Sequence, residues 1–144
     1  MSHKIKPKKS KQKTKRFVRI VEAIVSDSKG RVLVLKRSKN NSIYVGKWQF
    51  PGGKAWVGES AKRALEREVF EETGCRCISL KQIKKLTFSE QFKGNVSVVE
   101  LVSFSCKLKG TICLSRDHCD YKFVKGDGFL KRILAPISKK VFFD

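Results

Sequence analysis

The sequence predicts an α/β fold, and three observations carry that reading. Arg31 to Arg37 (RVLVLKR) is apolar on both faces of a strand until Lys36, so it needs cover above and below and belongs in the middle of a sheet packed by helices. Glu59 to Thr73 has helix signals at both ends and a buried stripe between them. Strand-like runs lie on either side of that helix.

Phe17 to Val25 is β-branched and apolar, interrupted by Arg19 and Glu22, and reads as the first strand. Asp27-Ser28-Lys29-Gly30 is a turn cluster that leads into the doubly apolar second strand. Ser38 to Lys47 is a mostly polar loop. Trp48-Gln49-Phe50-Pro51-Gly52-Gly53-Lys54 then packs two aromatics against a Pro-Gly-Gly turn. In the helix, Ser60 is the N-cap, Ala61, Ala64, Leu65 and Val69 form the apolar stripe, and Gly74 is the stop. Strand-like runs follow at Cys77 to Phe88, Asn95 to Leu108 and Tyr121 to Val124, and a short amphipathic helix begins near Asp127. No internal repeat is present.

At 144 residues and 40% hydrophobic content the chain is sized for one soluble domain, large enough to fold without disulfides. No apolar run approaches the roughly 20 residues that span a bilayer. The charged N-terminus has no hydrophobic segment behind it, which excludes a secretory signal and makes a cytoplasmic protein the expectation. Five cysteines, an odd number, point to a reducing compartment. Cys75-x-Cys77 lacks the two-residue spacing of a zinc knuckle.

The net charge is +20. Residues 1–16 read as a basic, disordered tail and 17–144 as the folded domain. The tail is either a solvated, solubilising segment or an arm for RNA or another polyanion. Against this basic background, Glu59, Glu66, Glu68, Glu71 and Glu72 make an acidic island.

Glu68, Glu71 and Glu72 stand at i, i+3 and i+4, so one helix face presents three carboxylates, although like charges at that spacing cost a helix about 0.2–0.5 kcal/mol per pair. A hard divalent cation would remove that repulsion: Mg²⁺ takes oxygen ligands and is usually held by a few carboxylates together with substrate phosphates. The alternative is an acidic solvated face paired with Lys62, Arg63 and Arg67. Upstream, Gly52-Gly53 supplies a backbone free to turn sharply or approach a ligand.

From Gly53 through Glu59, Arg67-Glu68-Val69 and Glu71-Glu72 to Gly74-Cys75, the chain resembles the Nudix box, G-x5-E-x7-R-E-U-x-E-E-x-G-U, where U is a bulky aliphatic. Every Gly, Glu and Arg position matches, Val69 suits the first U, and Cys75 is a mild departure at the last. Val34 to Lys54, a strand ending in a basic pair followed by a loop and W-x-F-P-G-G-K, is similar to the MutT-like branch of that family.

The resemblance implies an α/β/α sandwich with a mixed sheet and a hydrolase that cuts a phosphoanhydride bond with Mg²⁺ or Mn²⁺. It also implies roles. Glu72 would be a metal ligand, and Glu68 and Glu71 would bind further metal or deprotonate water. Arg67, assisted by Glu59, would orient the carboxylates, and Gly53 and Gly74 would shape the box. Gly52 would offer its carbonyl to the metal. Arg37 would sit near phosphate or base, and Phe50, Pro51 and Gly52 would wall the nucleotide pocket.

Other residues are less specific. Val98, Glu100, Val102 and Phe104 alternate onto one strand face, so Glu100 is either a general base in an apolar row or an edge-strand acid reaching water. His118 lies in a segment loosely resembling the EHxxYxW stretch of several Nudix enzymes, and positions a loop or contacts substrate. Trp48 and Phe50 read as core or pocket wall. Neither the SQPWPFPxS array of NADH-cleaving members nor the downstream proline of ADP-ribose hydrolases is present, Gln91 standing near the latter's place. Phe92 stands near the tyrosine of diadenosine polyphosphate hydrolases. The MutT-like reaction, nucleoside triphosphate to monophosphate plus pyrophosphate, is therefore the expectation, with an oxidised guanine nucleotide as one candidate substrate. A capped or triphosphorylated RNA 5′ end is the alternative substrate, and a non-catalytic nucleotide- or RNA-binding module is the alternative class. Oligomeric state is not legible.

Overall fold

A computed structural model describes residues 16–92 and 94–143, without the side chains of 92, 129 and 141–143. The basic segment 1–15 lies outside the described residues, so the expected disordered tail is not addressed by the fold. Arg16, assigned to that tail from sequence, opens the first strand instead, opposite Ser97.

The strands divide into two sheets. β1 (Arg16–Val25) lies between β4 (Gly52–Lys54), antiparallel, and β6 (Asn95–Lys109), parallel, with β5 (Arg76–Phe92) on the far edge. β2 (Val32–Arg37) is flanked antiparallel by β3 (Trp48–Gln49) and β7 (His118–Val124). The pairing is mixed, as the resemblance implied.

The reading of β2 as buried on both faces holds, because Leu33, Val34 and Leu35 are all fully buried. Leu33 and Leu35 join Val21, Ala23 and Val25 of β1 beneath Ala64, Leu65 and Val69 of α1 (Ala61–Thr73). Val34 joins Trp48, Phe50 and Leu101 beneath Leu130 and Leu134, with Ile20 and Ile24 of β1 packed alongside. Those leucines belong to α2 (Asp127–Ile133) and the turn before α3 (Pro136–Phe143), which makes the second cover layer. Strand alternation thus sends odd positions of β1 to α1 and even positions to the C-terminal helices. That division places Glu22 on the face away from α1, between Ile20 and Ile24.

α1 forms where the sequence marks it. Ser60, in extended conformation, accepts a hydrogen bond from the Arg63 N–H at 3.2 Å, and Gly74 ends the helix at φ 69°, its N–H donating to the Phe70 carbonyl at 2.8 Å. All five cysteines are free thiols. No helix among the described residues is long and apolar enough to cross a membrane.

Candidate active site

The site is built where α1 crosses β4. Gly52 sits at φ 152°, and a Cβ there would lie 2.0 Å from the Val21 carbonyl oxygen, so β4 can pair this closely with β1 only through glycine. A Cβ on Gly53 would lie 2.6 Å from the carboxyl carbon of Glu68. The two glycines thereby bring a strand backbone against the carboxylates of α1, and the Gly52 N–H donates to Glu72 Oε2 at 3.3 Å.

Arg67 organises the outer part of the cluster. Its Nε and Nη2 donate to the two oxygens of Glu59, both at 2.9 Å, in the fork geometry of a bidentate pair. Nη2 also donates to the Lys54 carbonyl at 3.0 Å, and Nη1 to Glu68 at 3.0 Å and to Glu71 at 3.3 Å. The guanidinium lies 3.9 Å from the centroid of the Trp56 ring, a stacking partner that sequence reasoning missed. Its hydrogen bonds to Glu59, Glu68 and Glu71 raise the Arg67 pKa, and the same partnership lowers that of Glu59. Arg67 thus ties Glu59, Glu68 and Glu71 to one guanidinium.

The inner part is different. Glu72 is 7% exposed, and burial, with the neighbouring charge of Glu68, pushes its carboxyl well above the ordinary range. Glu68, half-buried against Gly53, is also raised by desolvation, with Arg67 opposing. Glu22, 6% exposed, is pushed up to about 8 by burial. Its Oε1 accepts a hydrogen bond from the Ser138 hydroxyl at 3.2 Å, while Oε2 is buried with no partner among the described residues. Sequence reading passed over Glu22 as an interruption of β1. The signal was there: it is an acid in the apolar row Ile20, Glu22, Ile24.

The three box glutamates do not converge as a ready-made chelate: Glu71 is half exposed and turned to Arg67, and among the described residues no three His, Cys, Asp or Glu side chains are gathered to hold an ion. The donors nonetheless fit a hard divalent cation. They are carboxylate oxygens, and two of the groups, Glu72 and Glu68, are buried or half-buried and raised by desolvation, which a cation would offset.

A cavity of about 250 Å³ opens beside the cluster, its wall including Ile20, Glu22, Arg37, Phe50, Gly52 and Ser138. Arg37 lies on the cavity wall, with Nη1 donating to Gln49 Oε1 at 2.7 Å and Nε to the Ile43 carbonyl at 3.0 Å. Since Gln49 uses its oxygen for Arg37, its amide N–H donates to His118 Nε2 at 2.8 Å, leaving the proton on a buried, unpartnered Nδ1. Burial, reinforced by the Arg37 charge, lowers His118 to about 4 and keeps it neutral. His118 thus buttresses Arg37 through Gln49.

Two further expectations change. Pro51 is buried and is not on the cavity wall; its carbonyl instead accepts the Ala23 N–H at 2.8 Å and fixes β4 to β1. Glu100 is on a central strand, not an edge, and both oxygens are taken, by Arg19 at 2.7 Å and Lys85 at 3.7 Å, which removes it as a base. Trp48 is core. A second hollow, lined by Glu66, Phe70, Arg76 and Cys77, includes none of the residues expected to act.

Comparison with known proteins follows the same line. The NUDIX domain family model matches residues 16–143. The chain is similar to an RNA pyrophosphohydrolase of Pasteurella multocida, 42% identical over 72 residues; the match covers 50% of this chain and only 32% of that protein's length. It is also similar to the nucleoside triphosphatase NudI of Salmonella agona, 29% identical over 105 residues, 67% of this chain and 74% of that one. Among solved structures, the MutT protein of Methanosarcina mazei Go1 superposes with a TM-score of 0.69 at 29% identity, over 90% of this chain and 92% of that one. The mutator MutT protein of Bacillus halodurans gives 0.69 at 25% identity, over 88% and 80%. With a family match across nearly the whole described chain and MutT proteins as structural neighbours, the chain belongs to the Nudix hydrolase family, enzymes of phosphoanhydride bonds, on its MutT-like branch.

Proposed function

We propose that this protein hydrolyses a nucleoside triphosphate to the monophosphate and pyrophosphate with Mg²⁺, or Mn²⁺ in its place. The observation that carries the reading is the pair of carboxylates pushed upward by burial, Glu72 and Glu68, held against the Gly52-Gly53 backbone at the rim of a cavity. Glu72 and Glu68, with the Gly52 carbonyl, would hold the metal, and Glu71, at the solvent edge, would complete the set or take a proton from water. The metal would offset charge on the bridging phosphates and acidify the attacking water. Arg67 and Glu59 hold the carboxylates in place, Gly53 leaves room for Glu68, and Gly74 ends the helix that carries them. Arg37 and Lys54 at the cavity supply positive charge for phosphate oxygens, and Phe50 is an apolar wall for the nucleoside.

A panel of nucleoside triphosphates, incubated with Mg²⁺ or Mn²⁺ and assayed for both products, tests this. Pyrophosphate with a monophosphate is the expected pair; release of inorganic phosphate alone, or no turnover of any triphosphate, contradicts the proposal.

A second substrate reading has a specific observation behind it. The Pasteurella relative is named for RNA, and residues 1–19 carry many lysines and arginines with no acid. On that reading the tail recruits the 5′ end of RNA by charge. Removing residues 1–15 should then abolish activity on triphosphorylated RNA and spare free nucleotides, whereas equal loss on both leaves the tail without an RNA role.

A further inference from the structure

We infer that Glu22 selects the substrate's nucleobase: its free oxygen, Oε2, accepts a hydrogen bond from an N–H of the base edge, which favours guanine. The inference rests on the nucleotide-hydrolase reading above and names a residue that neither the box nor the family likeness singles out.

Three observations converge on Glu22. It is buried, yet lines the cavity. Its two oxygens are unequal: Oε1 is held by Ser138, and Oε2 has no partner among the described residues. Its neighbours along the strand face, Ile20 and Ile24, are apolar, so no other side chain of that row meets the need. An acceptor kept buried and unmet in the free protein is costly, and it is explained when a ligand brings the donor. The cavity also has two ends. Gly52, Gly53 and Lys54 adjoin the glutamates of α1, where phosphates belong, and Ile20, Phe50 and Ile137 offer apolar surface suited to a flat ring.

The donor pattern narrows the base. With Oε1 held by Ser138, Oε2 is left as an acceptor for one N–H of the base edge. Guanine presents an imino and an amino N–H side by side, whereas the comparable edge of adenine alternates donor with acceptor. Sites built around such a bond reject the analogue that cannot make it.

Ser138 makes the test sharp. Its oxygen accepts the Phe50 N–H at 3.2 Å and its single proton goes to Glu22 Oε1. In Glu22→Gln the amide oxygen therefore stays with Ser138, and the amide nitrogen, a donor, replaces Oε2. Shape is kept and hydrogen-bonding sense is reversed.

The experiment uses the full chain. Binding of GMP and AMP is measured by calorimetry without metal, and kcat/KM for GTP and ATP with Mg²⁺, for wild type and Glu22→Gln. Wild type is expected to prefer guanine in both assays, and Glu22→Gln to lower the guanine-to-adenine ratio at least about tenfold. An unchanged ratio overturns the inference, even if both nucleotides weaken together, because uniform loss marks a structural role. If Glu22→Gln does not fold, Glu22→Asp draws the oxygen back from the cavity and the same ratio decides. A ratio shift in binding without hydrolysis by wild type would remove the enzyme reading and leave base selection standing; hydrolysis with no ratio shift would do the reverse.

Discussion

The carboxylates of this site fall into two groups with opposite electrostatics. Glu59 and Glu71 are matched to Arg67, which spends its guanidinium N–H groups on three glutamates and a backbone carbonyl. Glu72 and Glu22, on the inner side, have between them two bonds of 3.2–3.3 Å, and Glu22 Oε2 is buried with no partner among the described residues. The same chemical group is stabilised as an anion at Glu59 and destabilised at Glu72 and Glu22. Where the protein needs a rigid scaffold it supplies its own cation. Where it needs to bind, it leaves the charge unmet for a ligand to complete.

The largest effect that would break this comparison is at the inner group. Glu72→Gln should lower turnover on the order of 100-fold or more while leaving the thermal midpoint unchanged or higher, because a buried carboxylate is removed without losing shape. A fall in the midpoint that accounts for the lost activity would assign Glu72 to the scaffold instead. Gly52→Ala comes next. Its Cβ would meet the backbone of Val21 and Glu22, so a destabilisation of roughly 3 kcal/mol is expected in urea unfolding. Gly53→Ala meets only the end of the Glu68 side chain, so it should cost less stability and more activity.

At the outer group, Arg67→Lys keeps the charge but loses the fork and the stacking on Trp56. The expected result is a loss of about 1–2 kcal/mol, discounted for the partly exposed partners, with turnover down about tenfold. Rescue of full activity by lysine would mean that only the charge matters there.

The smallest effect is in the pH dependence of the metal-free protein. Glu22 titrates near 8 in the fold against an ordinary 4.5, so between those values the native state holds more protons and stability falls as pH rises. Glu72 acts in the same direction. His118, at about 4 against 6.5, does the opposite below pH 6.5, where stability rises with pH. Between pH 6.5 and 8 the Glu22 carboxyl still acts, and it should lower the unfolding free energy by up to about 1.4 kcal/mol per pH unit. Glu22→Gln should flatten that slope in urea melts, and an unchanged slope would contradict the assigned burial.

Much of this was legible in the sequence, and what was not has a common cause. α1 was read to its caps because helix ends are local: Ser60 and Gly74 act on residues within one turn. The double burial of β2 was visible in its composition. Glu100 was misjudged because its partners, Arg19 and Lys85, come from neighbouring strands, and strand order is not written in any single strand. The Gln49–His118 contact joins segments 69 positions apart that meet only because β3 and β7 flank β2. Glu22 had a local signature, a lone acid in an apolar row, but its meaning needed Ser138 from α3, a helix that no expectation included.

The most direct test is Mn²⁺ binding, followed by electron paramagnetic resonance, to wild type and to Glu72→Gln. A divalent ion held by the inner carboxylates predicts binding to wild type, weakened at least about tenfold in the variant. Equal Mn²⁺ affinity in the two proteins, with turnover preserved, would contradict a metal site on this face of α1.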